Sequence, residues 1–263
     1  MTPLSSTDGG SSMPDGPNRQ QRRENARLQK KLAQRGAVDL SQKGPPVIAL
    51  GYLFPSDPPL IHESFMRSVL SLVAGSAQLG FGIRPLSVKG GPLIARARND
   101  IVASFLADPS NRYLLFSDTD TEWIWPHVSL LLEADRPIVG ALYFSFRLTP
   151  EGEQETFPVA LRADPENPGG FEPLTEADLL DEEGDLLAEP IEVDGVGMGL
   201  TLIRREVLEA LDPQGRRLWP FAESDETRGY GEDLTFSLRA KEAGYQSWLL
   251  PAARIGHHKS VVL

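Results

Sequence analysis

Three runs of strand-forming apolar residues constrain the fold of this chain most: PVIALGYLF (46–54), YLLFS (113–117) and PIVGALYFSF (137–146). Each is short and closely bounded by Pro, Asp, Gly or Arg, so each is expected as a buried strand. Residues 60–80 place Ile61, Phe65, Val69, Leu72 and Val73 at helical spacing. LIARARNDIVASFLAD (93–108) brings Ile94, Ile101, Val102, Phe105 and Leu106 to one side of a second helix. GIRPLSV (82–88) falls between the two as a short strand, and a third helix is expected from about Pro126 to Ala134. Strands alternating with helices imply an α/β chain, a mainly parallel sheet with helices on both faces.

The rest of the chain divides by composition. Residues 1–18 are rich in Ser, Gly and Pro with little to bury, and residues 19–35 favour helix but carry only a thin apolar stripe. Residues 1–43 are therefore expected to be a disordered or basic helical tail before a single domain spanning 44–263. Residues 151–194 break the rhythm with 15 acidic residues and one basic residue, which predicts a solvated surface excursion with room for a hairpin; a lid or an acceptor-facing loop is the alternative. Order returns with VGMGLTLIRREVLEAL (196–211), a Gly-rich strand leading into a helix, then a helix within 232–244 and a strand within 245–251.

Charge narrows the partners. Residues 1–43 hold eight Lys/Arg against four Asp/Glu, or +4, which leaves 18 basic against 33 acidic residues, or −15, in 44–263. A body that acidic repels nucleic acid, whereas a small phosphorylated substrate remains compatible if a divalent cation offsets the field locally. The absence of cysteine excludes thiolate nucleophiles and cysteine-bound zinc. No run of apolar residues approaches a membrane span, and a cytoplasmic location is expected.

The run YLLFSDTDTEW (113–123) carries the chemistry. A buried strand leads straight into Asp118 and Asp120, and carboxylates are costly to bury unpaired. Hard oxygen ligands at a strand end suit Mg2+ or Mn2+, ions that typically bridge protein carboxylates to substrate phosphates; an Asp-rich turn is the plainer reading. Gly256-His257-His258 offers an imidazole that could join such a site, His257 ahead of His258 because it directly follows the glycine. Glu232 and Asp233 stand at a helix start, where they could complement the helix dipole or provide a general base. Arg96, Arg98 and Asn99 lie early in a helix and could meet a diphosphate or a base, or simply face solvent. Gly197 and Gly199 precede a strand rather than a helix, which fits close approach of a substrate to the backbone better than a phosphate loop.

Taken in this order, the elements resemble the GT-A-fold glycosyltransferases, in particular the family 2-like group, from about Val47 to His258. The resemblance implies an open, mixed, mainly parallel sheet and a metal-dependent transferase using a UDP- or GDP-sugar, with an acceptor it does not identify. It assigns the nucleotide loop to Leu53–Asp57, including Pro55 and Asp57, and the Ala-Arg-Asn helix opening to Ala97-Arg98-Asn99. The family's DxD motif corresponds to Asp118-Thr119-Asp120, Asp120 on the cation and Asp118 near the donor's ribose or sugar as well as the metal. It also implies Asp233, or else Glu232, as the base, a donor-sugar and acceptor wall at Gly197–Glu206, and His257 as a metal ligand. Thr121-Glu122-Trp123 is an unusual continuation of that motif. Asp118-Thr119-Asp120-Thr121 also fits the signature of haloacid-dehalogenase-like phosphatases, and a non-catalytic binding protein on the same fold is a further alternative.

Overall fold

The structure is a computed structural model that describes residues 47–54, 61–79, 81–91, 93–149, 152–212, 220–222 and 231–258, with the backbone alone for 77–79. The basic tail and the expected nucleotide-loop residues Pro55 and Asp57 lie outside the described residues.

The apolar runs form the strands of one seven-stranded sheet. β1 (Val47–Phe54), β2 (Gly82–Lys89), β3 (Asn111–Ser117), β5 (Ile138–Leu142) and β13 (Ser247–Arg254) run one way, and β10 (Ile191–Val193) and β12 (Leu200–Arg204) the other, in the order β10-β13-β5-β12-β3-β1-β2. The sheet is thus mixed and mainly parallel, as expected.

Alternation along each strand feeds two cores. Ala49, Leu114 and Phe116 pack with Ile101, Val102 and Phe105 of α2 (Ile94–Leu106) and Val207 and Leu208 of α4 (Arg205–Leu211), together with Phe236 of α5 (Glu232–Glu242). Ile48, Leu50 and Leu115 are also fully buried, and at alternate positions they point to the opposite face. That face is covered by α1 (Glu63–Leu79) and α3 (Trp125–Glu133), which contact the sheet and each other. Each large apolar side chain so buried stabilises by about 1.5–3 kcal/mol before entropy is counted. No helix of the described residues is long and apolar enough to cross a membrane.

One expectation is corrected. PIVGALYFSF is not one strand: β5 ends at Leu142, and β6 (Phe144–Leu148) leaves the main sheet to form a hairpin with β7 (Gln154–Pro158), Tyr143 standing at the break. The acidic stretch contains a hairpin and adds further structure around it. β8 (Ala160–Ala163) pairs with β9 (Phe171–Pro173) and with β11 (Gly195–Val196), a 3-10 turn spans Glu176–Leu179, and the stretch delivers the edge strand β10. Leu174, Leu179 and Val193 reach the core, and Arg162, its one basic residue, holds Glu172 at 2.9 Å and Asp178 at 2.7 Å.

Candidate active site at the end of β3

Beyond Ser117 the chain turns through Asp118-Thr119-Asp120 into β4 (Thr121–Glu122), which pairs with β14 (Gly256–His257). The turn is held by its own side chains. Thr121 is fully buried, and its hydroxyl donates to the Asp118 carbonyl at 2.8 Å and lies 3.1 Å from the Gly199 carbonyl. Trp123 donates its indole N–H to Ser117 Oγ at 2.9 Å and takes a backbone bond to Ser68 Oγ at 2.9 Å. The Thr-Glu-Trp continuation therefore has a structural purpose: it fixes where the two carboxylates point.

They point different ways. The β4–β14 ladder sets Thr121 opposite His257, and His258 N–H donates to the Asp120 carbonyl at 2.8 Å. His257 Nε2 thereby comes within 3.4 Å of Asp120 Oδ2. Its other nitrogen, Nδ1, lies 2.8 Å from the Phe144 carbonyl, which can only accept, so Nδ1 carries the proton. In the neutral ring Nε2 then presents a lone pair toward a carboxylate oxygen, an arrangement that could hold a divalent cation, with the Phe144 carbonyl fixing the tautomer. Asp118 instead turns to Arg98, its Oδ1 3.5 Å from the guanidinium. Among the described residues no three His, Asp or Glu side chains are placed to hold a metal ion together. One protein carboxylate, with substrate phosphates and water making up the rest, is a set that Mg2+ takes, and His257 would add a nitrogen ligand beside it. His258 faces away, its Nε2 3.0 Å from Glu122 and its ring stacked on His62 at 5.0 Å.

Arg98 is the electrostatic centre of the other half. It is 5% exposed and lies 3.3 Å from Glu232, 3.5 Å from Asp233 and 3.5 Å from Asp118, with the Phe116 and Phe221 rings against its guanidinium. Burial works against its charge, but the carboxylates of Asp233, Asp118 and Glu232 outweigh burial and hold it more firmly protonated than usual. The structure thus gathers Arg98 with Asp118, Glu232 and Asp233, three carboxylates around one guanidinium. Asn99 is also committed: its amide donates to the Phe221 carbonyl at 2.8 Å and accepts from the Phe221 N–H at 3.0 Å. Arg96 is exposed, about 200° round the helix from Arg98, and is not gathered with these groups.

Asp233 is not spent on capping its helix. Gly231 is the N-cap, and Asp233 Oδ2 accepts from the Met198 N–H at 3.2 Å on a different segment. Burial pushes its carboxyl up to about 7; Arg98 pulls the other way, Glu232 and Asp118 add to the rise, and the Met198 N–H lowers it. An acid with that pKa can take and return a proton near neutrality.

The glycines before β12 make room for a neighbouring side chain. A Cβ on Gly199 would stand 2.6 Å from the Tyr143 ring, and one on Gly197 would collide with the Tyr143 hydroxyl and with Val159 at 2.6 Å. Sequence reasoning missed Tyr143 because it sits inside an apolar run. Its hydroxyl is the one polar mark it carries there, and that it faces Gly197 and Gly199 is visible only in the fold.

No family model matches the chain, and no curated protein matches it. Solved structures that resemble it include A197 from STIV, at 16% identity and a TM-score of 0.42 over 83% of this chain and 96% of that one. GalNAc-T7, solved with UDP, GalNAc and Mn2+, shows 14% identity and a TM-score of 0.43 over 83% of this chain and 45% of its own. The catalytic domain of Drosophila β1,4-galactosyltransferase 7, solved with xylobiose, shows 16% and 0.45 over 82% and 71%. These are distant likenesses of shape, and the chemistry is read from the side chains around β3.

Proposed function

We propose that this chain is a metal-dependent glycosyltransferase that moves a sugar from a nucleotide-sugar to an acceptor hydroxyl. The observation that carries the reading is the approach of Asp120 and His257. They are far apart in sequence and come within 3.4 Å at the end of the sheet, and Arg98 links the half-buried Asp233 to Asp118 of the same turn. Ligands of open α/β sheets bind outside the carboxyl ends of the strands, where these groups stand. Mg2+ or Mn2+ on Asp120 and His257 would supply positive charge for a departing nucleoside diphosphate.

The remaining steps belong to protein side chains. Asp233, aimed by Met198 N–H, takes the proton of the acceptor hydroxyl as its oxygen attacks the anomeric carbon. The new C–O bond forms as the bond to the diphosphate breaks, and the diphosphate leaves with the electron pair. Glu232 keeps Arg98 in place, and Arg98 balances the charge left on Asp233 and Asp118. The resemblance to family 2-like GT-A enzymes agrees with this assignment, which makes UDP- and GDP-sugars the donors to screen.

The test is calorimetric titration of UDP with and without Mn2+ into the wild type and Asp120→Ala. Metal-dependent binding should be lost in the variant while its melting curve is retained. Equal metal-dependent affinity in both proteins would remove the site.

A further inference from the structure

Tyr143 lies between the two halves of the site and touches both. It is 4% exposed and fills the space left by Gly197 and Gly199, so it is held by close packing. The edge of one ring meets the face of the other between Tyr143 and His257, centroids 5.2 Å apart at 86°. The hydroxyl, at the opposite end of the side chain, accepts from the Gly199 N–H at 3.2 Å. The Gly199 carbonyl in turn receives the Asp118 N–H at 3.2 Å, and the neighbouring Met198 N–H is the donor that holds Asp233. Burial and the carboxylates of Asp118 and Asp233 hold the phenol well above its ordinary pKa, so it stays a neutral hydroxyl.

We propose that Tyr143 is a positioning residue for transfer, its ring holding His257 against Asp120 and its hydroxyl holding the 198–199 backbone that aims Asp233. This inference rests on the glycosyltransferase reading and adds a residue to it. The ring acts on cation affinity and the hydroxyl on the chemical step, so the two ends of one side chain are separable by substitution. A residue that merely filled space would show neither effect: its removal would lower the melting temperature and leave cation affinity and turnover per folded molecule unchanged.

Two variants divide these contributions. Tyr143→Phe keeps the ring contact with His257 and deletes the hydroxyl, whereas Tyr143→Leu deletes the ring; Tyr143→Met takes its place if the Leu variant does not fold. Cation affinity is read by the electron paramagnetic resonance of free Mn2+ during titration in the presence of UDP. Turnover is read with whichever of a panel of UDP- and GDP-sugars the wild type consumes. Tyr143→Leu should weaken Mn2+ binding by about tenfold, the lower end of what loss of a supporting residue costs a metal site. Tyr143→Phe should bind Mn2+ within about twofold of wild type and lose about tenfold in kcat at unchanged KM, the signature of an interaction used only in the transition state. Wild-type Mn2+ affinity in the Leu or Met variant, or wild-type kcat in the Phe variant, would overturn the inference and leave the glycosyltransferase reading standing. A wild type without Mn2+-dependent UDP binding or turnover of any donor would overturn both.

Discussion

Replacing Arg98 with Met keeps the length and much of the apolar packing against Phe116 and Phe221 but removes the charge that three carboxylates share. In the wild type the guanidinium is 5% exposed, with Glu232 at 3.3 Å and Asp118 and Asp233 each at 3.5 Å. Removing one partner of a buried ion pair typically costs about 3–5 kcal/mol, because the charge left behind is neither solvated nor paired. Three carboxylates remain here, but their side chains keep 34%, 20% and 28% exposure for Asp118, Glu232 and Asp233, so solvent relieves part of the penalty and the same range is appropriate. For a domain of this size that is a fall in Tm of about 10 °C at pH 8. The sign of the pH dependence is fixed. Without Arg98 the carboxyl of Asp233 loses the guanidinium that lowers its folded-state pKa, so the folded variant binds protons more readily than its unfolded chain and regains stability on acidification. Differential scanning calorimetry between pH 5 and 8 should therefore show a deficit that shrinks by roughly half or more toward pH 5. A loss below about 2 °C at pH 8, or one equally large at both ends, would refute the view of Arg98 as a buried counter-charge.

Further outcomes follow from the same contacts. Asp233→Asn should retain donor affinity and lose at least about 100-fold in transfer, the usual contribution of a general base, and near-normal transfer would exclude the residue. Because the folded-state pKa of Asp233 is raised to about 7, its stabilising effect is complete below the ordinary Asp value and is lost as pH climbs through about 7. Wild-type stability should thus decline relative to Asp233→Asn between about pH 4 and pH 8 in chemical denaturation, and parallel profiles would contradict the shift. Asn99→Ala strands the N–H and C=O of buried Phe221 and should cost about 2–4 kcal/mol in urea unfolding without altering Mn2+ binding. Gly199→Ala forces a Cβ to within 2.6 Å of the Tyr143 ring and should lower both stability and kcat, as a thermal melt and an initial-rate assay would show.

Much of the sheet was legible because its strands are buried on both faces and read as unbroken apolar runs. β1, β3 and β13 begin and end within a few residues of where composition places them. The same property concealed the break at Tyr143, since an apolar run carries no mark where a strand leaves one sheet for another. Asp118 and Asp120 were visible as carboxylates at a strand end. Their divergence, one toward Arg98 and one toward His257, depends on the Thr121 and Trp123 bonds that turn the chain between them. Arg98 and Asn99 were visible as a polar pair early in a helix, and only the fold distinguishes an inward guanidinium from one offered to a ligand. Helix position alone left Asp233 between cap and base, and its bond to Met198 N–H takes it out of the capping role.

The strand order also governs how the chain can be made. β3 and β5 are separated in the sheet by β12, which pairs antiparallel with both. A ribosome that has released β5 must add about sixty more residues before Leu200–Arg204 is available, a wait of roughly 3–12 s at ordinary elongation rates. Until then the apolar edges of β3 and β5 could pair with each other or with another nascent chain, which is the hazard of an uncovered strand. The acidic stretch is synthesised during that interval, and its 15 carboxylates give the incomplete domain a strong like charge while its sheet is open. Neutralising its exposed acids should therefore lower the soluble yield of newly made protein more than it lowers the stability of protein already folded.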